Sequence, residues 1–197
     1  MANFRLFSVT CLFGLSCMAG CGRFDTETVD NSKSDSEQGS GQSAAAAAPV
    51  TIQEVDRAGF DAVVGGHRGK VVLVDFWATW CGPCRKHFPH TVELHRQFGE
   101  QGLAVVAVSM DDPRDDAVAL SFLQSQGATF DNLISNYGVG TEGFEAFEIP
   151  DAIPYFTLYD RQGRLRYRFS PVFENAEEGE PLDNIDIRVR ELLREDA

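Results

Sequence analysis

The segment VVLVDFWATWCGPCRKHFP, residues 71–89, decides the fold. Val71 to Phe76 is an almost unbroken apolar, β-branched run, the pattern of a strand covered on both faces. Trp80-Cys81-Gly82-Pro83-Cys84 then closes a tight turn and opens a helix. At a helix start the backbone N–H groups are unpaired and the dipole is positive, and both favour thiolate over thiol. Cys81 is therefore the expected nucleophile. Cys84, one turn on and expected to be deeper, is the resolving thiol. The competing readings of a CxxC are half a zinc site and a static disulfide. Zinc needs further ligands, and the chain has no second CxxC or spaced Cys/His pair. A static disulfide explains neither the strand before it nor the helix after it. No metal and no cofactor are expected.

The rest of the chain divides by composition. Of its five cysteines, Cys11, Cys17 and Cys21 lie in the first 21 residues, and only Cys81 and Cys84 fall in the part able to form a core. Leu6 to Ala19 is apolar over the length of a secretory h-region and short for a membrane span. Met18-Ala19-Gly20-Cys21 resembles a bacterial lipobox, so residues 1–21 are read as a signal peptide, with lipidation at Cys21. Residues 22–49, rich in Ser, Gly, Ala and acidic side chains, have almost nothing to bury and are read as a disordered linker. As a flexible coil it reaches roughly 30 Å. Residues 50–197 are one α/β domain. The formal charge of −13, with no basic stripe, argues against nucleic acid as a partner.

Within the domain the sequence predicts a short strand over 50–55 and a helix capped by Asp56. A helix runs on from the dithiol with Pro89 inside it, and a buried strand follows at 103–110. A helix over 115–126 carries Val118, Phe122 and Leu123 as its apolar stripe, and a short strand follows near 130–134. Residues 137–148 read as a Gly-rich loop with a helical turn. A hairpin pairs 154–159 with 164–169, and a last helix is capped by Asp183, with Ile185, Val189, Leu192 and Leu193 facing the core.

From Trp77 through Trp80 to the CGPC tetrapeptide, the central segment resembles the active-site signature of the thioredoxin superfamily. The strand VVAVSMDD and the helix after it resemble the insertion of extracytoplasmic thiol-disulfide oxidoreductases of the TlpA/ResA kind. The resemblance implies a thioredoxin-like α/β fold, a central mixed sheet flanked by helices with an added βα unit. It implies a dithiol that cycles through a Cys81–Cys84 disulfide. Asp75, six residues before Cys81, occupies the place of a buried acid that accepts the Cys84 proton; a carboxylate in an apolar strand is costly without such a task or a partner. Pro154, after Ile153, matches the cis-proline facing the dithiol. Pro150 competes, but only Pro154 directly precedes a strand followed by a DxxG turn. Trp80, Gly82, Pro83, Ile153 and Pro154 are then the substrate-contacting residues, and Gly82-Pro83 also sets the redox poise. Trp77 is assigned to the core.

His87 departs from the pattern, standing where that group often carries a glutamate. It either tunes the dithiol near neutral pH or is a plain exposed helix residue. The spacing of His87, His90 and His95 does not put all three on one helix face, and all three are expected to be solvated. The implied activity is reduction of disulfides in exported proteins, with cytochrome c maturation as a family-level target. Its partners are disulfide-containing protein substrates, a membrane thiol electron donor and the membrane itself through the lipid anchor. The rivals are a disulfide oxidase or isomerase, and a thioredoxin-fold binding module without turnover.

Overall fold

The computed structural model describes residues 49–150, 152–173 and 179–195. The signal peptide, the lipidation at Cys21 and residues 22–48 of the linker lie outside the described residues. No helix among the described residues is long and apolar enough to cross a membrane.

Six strands form one sheet in the order β1-β4-β3-β2-β5-β6. They are β1 (Gln53–Val55), β2 (Val71–Trp77), β3 (Leu103–Ser109), β4 (Asp131–Ser135), β5 (Tyr155–Tyr159) and β6 (Leu165–Phe169). The first four run parallel, β5 is antiparallel to them, and β6, paired antiparallel to β5, runs again in their direction. Strand β2 lies in the middle of the sheet, paired along its length with β3 and β5, and every residue in it is buried. That is why its sequence reads as a continuous apolar run rather than an alternation.

The helices are α1 (Arg57–Gly66), α2 (Gly82–Phe98), α3 (Asp116–Gln126), α4 (Thr141–Ala146) and α5 (Ile185–Arg194). Side chains alternate across a strand, and β2 shows what each face meets. Val71 and Leu73 pack with Leu94 and Phe98 of α2 and with Ile185, Val189 and Leu192 of α5. Val72, Val74 and Phe76 pack with Phe60 and Val64 of α1 and with Phe147 just after α4. Asp75 has the parity of Leu73, so it faces α2. Asp56 caps α1 as expected, accepting the Gly59 N–H at 2.8 Å. After α2 a 3₁₀ turn runs to Gln101, and Gly102 turns the chain into β3 with φ 101°. A Cβ there would come within 2.9 Å of the Arg161 guanidinium.

Two local expectations fail. Asp183 does not cap α5: it lies inside a 3₁₀ turn, Leu182–Asn184, and Asn184 takes the cap position without a side-chain bond. Val118 is not in the core. Ala119 and Leu123 are the buried positions of α3, while Val118 is 56% exposed. The segment read as a Gly-rich loop with a helical turn holds the short helix α4, whose end is closed by Glu148 at φ 58°. The Ile149 N–H donates to Phe144 O at 2.8 Å and the Glu148 N–H to Glu145 O at 3.2 Å. This is a Schellman closure, and its left-handed position usually carries glycine. Glu148→Gly is expected to raise stability by about 0.5–1 kcal/mol, the relieved strain exceeding the added chain entropy. A lower urea midpoint for the variant would contradict this.

Candidate active site

The sulfur pair stands where β2 gives way to α2. Cys81 is the N-cap of α2, in extended backbone at φ −85° and ψ 100°, and its Sγ accepts the Cys84 N–H at 3.2 Å. Its own N–H donates to Ala78 O at 3.1 Å, which tightens the turn. Gly82 and Pro83 fill the first helical positions, where the missing proline donor costs nothing. Both are exposed. Cys81 and Cys84 are joined by a disulfide across 5.3 Å of Cα separation. Cys81 is 6% exposed and Cys84 2%, the order expected of an attacking and a resolving sulfur.

Asp75 is buried on the α2 side of β2. Its carboxylate accepts the Thr91 hydroxyl at 2.7 Å. Thr91 lies seven residues after Cys84, so the two share one face of α2. Loss of hydration pushes the Asp75 carboxyl up to about 7, and the Thr91 hydrogen bond opposes this only in part. A carboxyl so placed changes protonation near neutral pH, as a proton acceptor must.

The Ile153–Pro154 peptide is cis, the one such bond among the described residues, so Pro154 rather than Pro150 takes the expected geometry. Cys81 Sγ lies 3.7 Å from the Ile153 carbonyl oxygen. Trp80 is 55% exposed beside Cys81, whereas Trp77 is fully buried against Phe88 and Phe122. The fold thus brings Cys81, Cys84, Trp80, Gly82 and Pro83 together on one turn and sets Ile153 against it.

Sequence reasoning missed what holds that turn. Asp111, buried just past β3, accepts the Thr79 N–H at 2.9 Å, the Thr79 hydroxyl at 2.6 Å and the Ser109 hydroxyl at 2.6 Å. A carboxylate two residues after a serine at a strand end was the only signal, and it reads equally well as a plain strand stop. Asp111→Ala strands these donors in the interior and is expected to cost about 3 kcal/mol by urea unfolding. A cost below 1 kcal/mol would show that the clamp is dispensable.

The histidines are not the solvated set expected. His87 is half-buried against the edge of Phe156 and His95 against Phe130, and each buries an Nδ1 that makes no hydrogen bond. Burial lowers the pKa of both. His90 instead pairs with Asp186 at 2.8 Å, linking α2 to α5.

Two relatives named thiol-disulfide oxidoreductase ResA are similar to this chain in sequence. The one from Geobacillus thermodenitrificans (strain NG80-2) is 30% identical over 107 residues, 51% of this chain and 54% of the relative. The one from Bacillus anthracis is 34% identical over 105 residues, 50% and 53%. The chain therefore spans about half the length of the curated relatives it matches. The solved thioredoxin domain of a thiol-disulfide oxidoreductase from Bacteroides vulgatus superimposes with a TM-score of 0.51 at 23% identity. It covers 66% of this chain and 84% of that one, and the likeness shows a thioredoxin-like fold. The AhpC/TSA family model matches residues 49–168, from the start of the described domain into β6 and over more than half of the chain. With β2, the dithiol turn and β5 all inside that match, the chain belongs to the AhpC/TSA family.

Proposed function

We propose that the protein is a thiol-disulfide oxidoreductase that reduces disulfides in exported proteins. The observation that carries this reading is the Cys81–Cys84 pair at the start of α2, with Cys81 Sγ against the Ile153 carbonyl. Cys81, as thiolate, attacks one sulfur of a substrate disulfide, and the other sulfur leaves with the electron pair as a thiolate. Asp75 takes the Cys84 proton. The Cys84 thiolate then attacks Cys81 Sγ, freeing the second substrate thiol and closing the intramolecular disulfide. A dithiol donor must return two electrons before the next cycle, and a membrane thiol protein fits that need. Ile153, ahead of Pro154, offers its backbone to the substrate chain, while Trp80, Gly82 and Pro83 form the contact surface around the sulfur.

The same reading places the domain outside the cytosol, tethered by a lipid on Cys21 and the linker that follows, with apocytochromes c among its targets. Support comes from the lipobox-like start, the names of the relatives and a globular part whose only cysteines are the redox pair. Metabolic labelling with a palmitate analogue checks the anchor: the native chain takes up label, and Cys21→Ala does not.

The deciding experiment is the reduction potential of the Cys81–Cys84 couple, equilibrated against glutathione or dithiothreitol. A reductase with Gly-Pro between its cysteines is expected near the thioredoxin value of roughly −270 mV. A value near −120 mV would move the function to disulfide formation or isomerisation. The absence of any reversible two-electron couple would leave only a binding module.

A further inference from the structure

An open groove of about 660 Å³ runs beside the dithiol, between the Thr79–Trp80 turn and one face of α3. Two of the most exposed large apolar side chains, Trp80 and Val118, stand on it, and Phe122 contributes between them. The groove is built rigidly. Phe122 is packed on Trp77 and Phe88 at centroid distances of 4.9 and 5.2 Å. The turn carrying Trp80 is fixed through Thr79 by the buried Asp111 carboxylate.

The only charged side chain lining it is Arg85, whose guanidinium sits 6.0 Å from the Phe122 ring centroid. Arg85 makes no ion pair among the described residues, unlike Arg57, Arg96, Arg114, Arg164, Arg166 and Arg188. In a chain of formal charge −13 this is an apolar strip with one uncompensated cation and no carboxylate in its lining. Its electrostatic complement is an apolar side chain accompanied by an acid. Because Trp80 directly precedes Cys81, the groove opens beside the sulfur to which a polypeptide would present its disulfide.

Resting on the reductase reading above, we propose that this groove is a specificity subsite for the substrate chain. It takes a large apolar side chain next to the attacked cysteine, and Arg85 receives a neighbouring carboxylate.

The test uses the full chain in its reduced form, with Cys11, Cys17 and Cys21 changed to alanine so that Cys81 and Cys84 are its only thiols, and three synthetic peptides, each with one cysteine blocked as a mixed disulfide with thionitrobenzoate. Attack by Cys81 forms the Cys81–peptide disulfide and releases one thionitrobenzoate anion, read by its absorbance; Cys84 then frees the peptide thiol. The cysteine is flanked by Leu-Glu, Leu-Lys or Ser-Gln. The second-order rate constant is expected to be about tenfold higher for Leu-Glu than for Ser-Gln, the discrimination an apolar pocket supplies. Val118→Asp should bring the Leu-Glu rate down to the Ser-Gln rate, and Arg85→Glu should reverse the order of Leu-Glu and Leu-Lys. Ile187→Asp, a change at an equally exposed apolar position on α5, should keep the native preference. Equal rates for all three peptides, or a preference surviving Val118→Asp, would overturn the subsite and leave the reductase reading standing. If the groove seats a second copy of the chain instead, Val118→Asp lowers the mass in solution and leaves the peptide preference unchanged, which also overturns it. Release from none of the peptides by the reduced protein would overturn both.

Discussion

Cys84→Ser is expected to arrest the protein on its substrate. The variant keeps the Cys81 sulfur at the start of α2, where unpaired N–H groups and the helix dipole support the thiolate, so the first attack proceeds. The second step has no nucleophile. Serine cannot displace a thiolate from sulfur, and uncatalysed disulfide rearrangement takes minutes to hours. One equivalent of substrate should therefore stay covalently attached, visible as a shifted band on non-reducing electrophoresis and as the summed mass in a mass spectrum, both collapsing with dithiothreitol. Cys81→Ser should form no such adduct. Cys84 is the deeper of the two sulfurs, at 2% exposure, and is the less able to meet a bulky disulfide on its own. Adducts on Cys81→Ser with none on Cys84→Ser would reverse the assignment of roles. Adducts on neither would remove the catalytic reading.

The second large effect concerns Asp75 and has two opposite arms. As proton acceptor for Cys84 it must be ionised, so the rate of the resolving step in the native protein should climb as pH rises through about 7. Asp75→Asn should flatten that profile and slow resolution by about 10²–10⁴-fold, the usual contribution of a positioned base. Stability moves the other way. The folded carboxyl titrates at about 7 against 3.8 in the unfolded chain, so the folded state binds the proton more tightly. Where the folded state holds the extra proton, stability falls as pH rises. The loss begins near pH 4, is complete above about 7, and amounts to about 4 kcal/mol. Asparagine carries no charge and can still accept the Thr91 hydroxyl. Asp75→Asn should thus match the native protein near pH 3.5 and exceed it by up to about 4 kcal/mol at pH 8, by urea unfolding at the two pH values. A variant that is both slow and less stable at pH 8 would mean that Asp75 is a structural partner of Thr91 and not a base. A residue that costs stability and supplies rate is the pattern expected of a functional group held in the core.

The sequence by itself determined the centre of this protein. Val71 to Phe76 reads as a strand covered on both faces, because its apolar, β-branched run does not alternate, and the CGPC after it reads as a helix start; the structure has both, the strand reaching Trp77. Those local rules placed Cys81 and Cys84, separated Trp80 from Trp77, and marked Asp75 as out of place in an apolar run. The hairpin, the α1 cap and the choice of Pro154 over Pro150 were legible for the same reason: turn chemistry and periodicity act over a few residues. Tertiary structure decided what depends on neighbours distant in sequence. Whether Val118 is core or surface depends on where α2 lies against α3, and its helical spacing is the same in both cases. Nothing in the 3₁₀ turn at Leu182–Asn184 could be told from a helix start until the chain around it was placed. Asp111 became the clamp of the dithiol turn only because parallel pairing of β2 with β3 brings two strand ends, more than thirty residues apart, to the same edge of the sheet. A continuous apolar run marks a buried strand, but which strand it pairs with in parallel leaves no local mark, because the hydrogen bonds join segments that must be far apart in sequence.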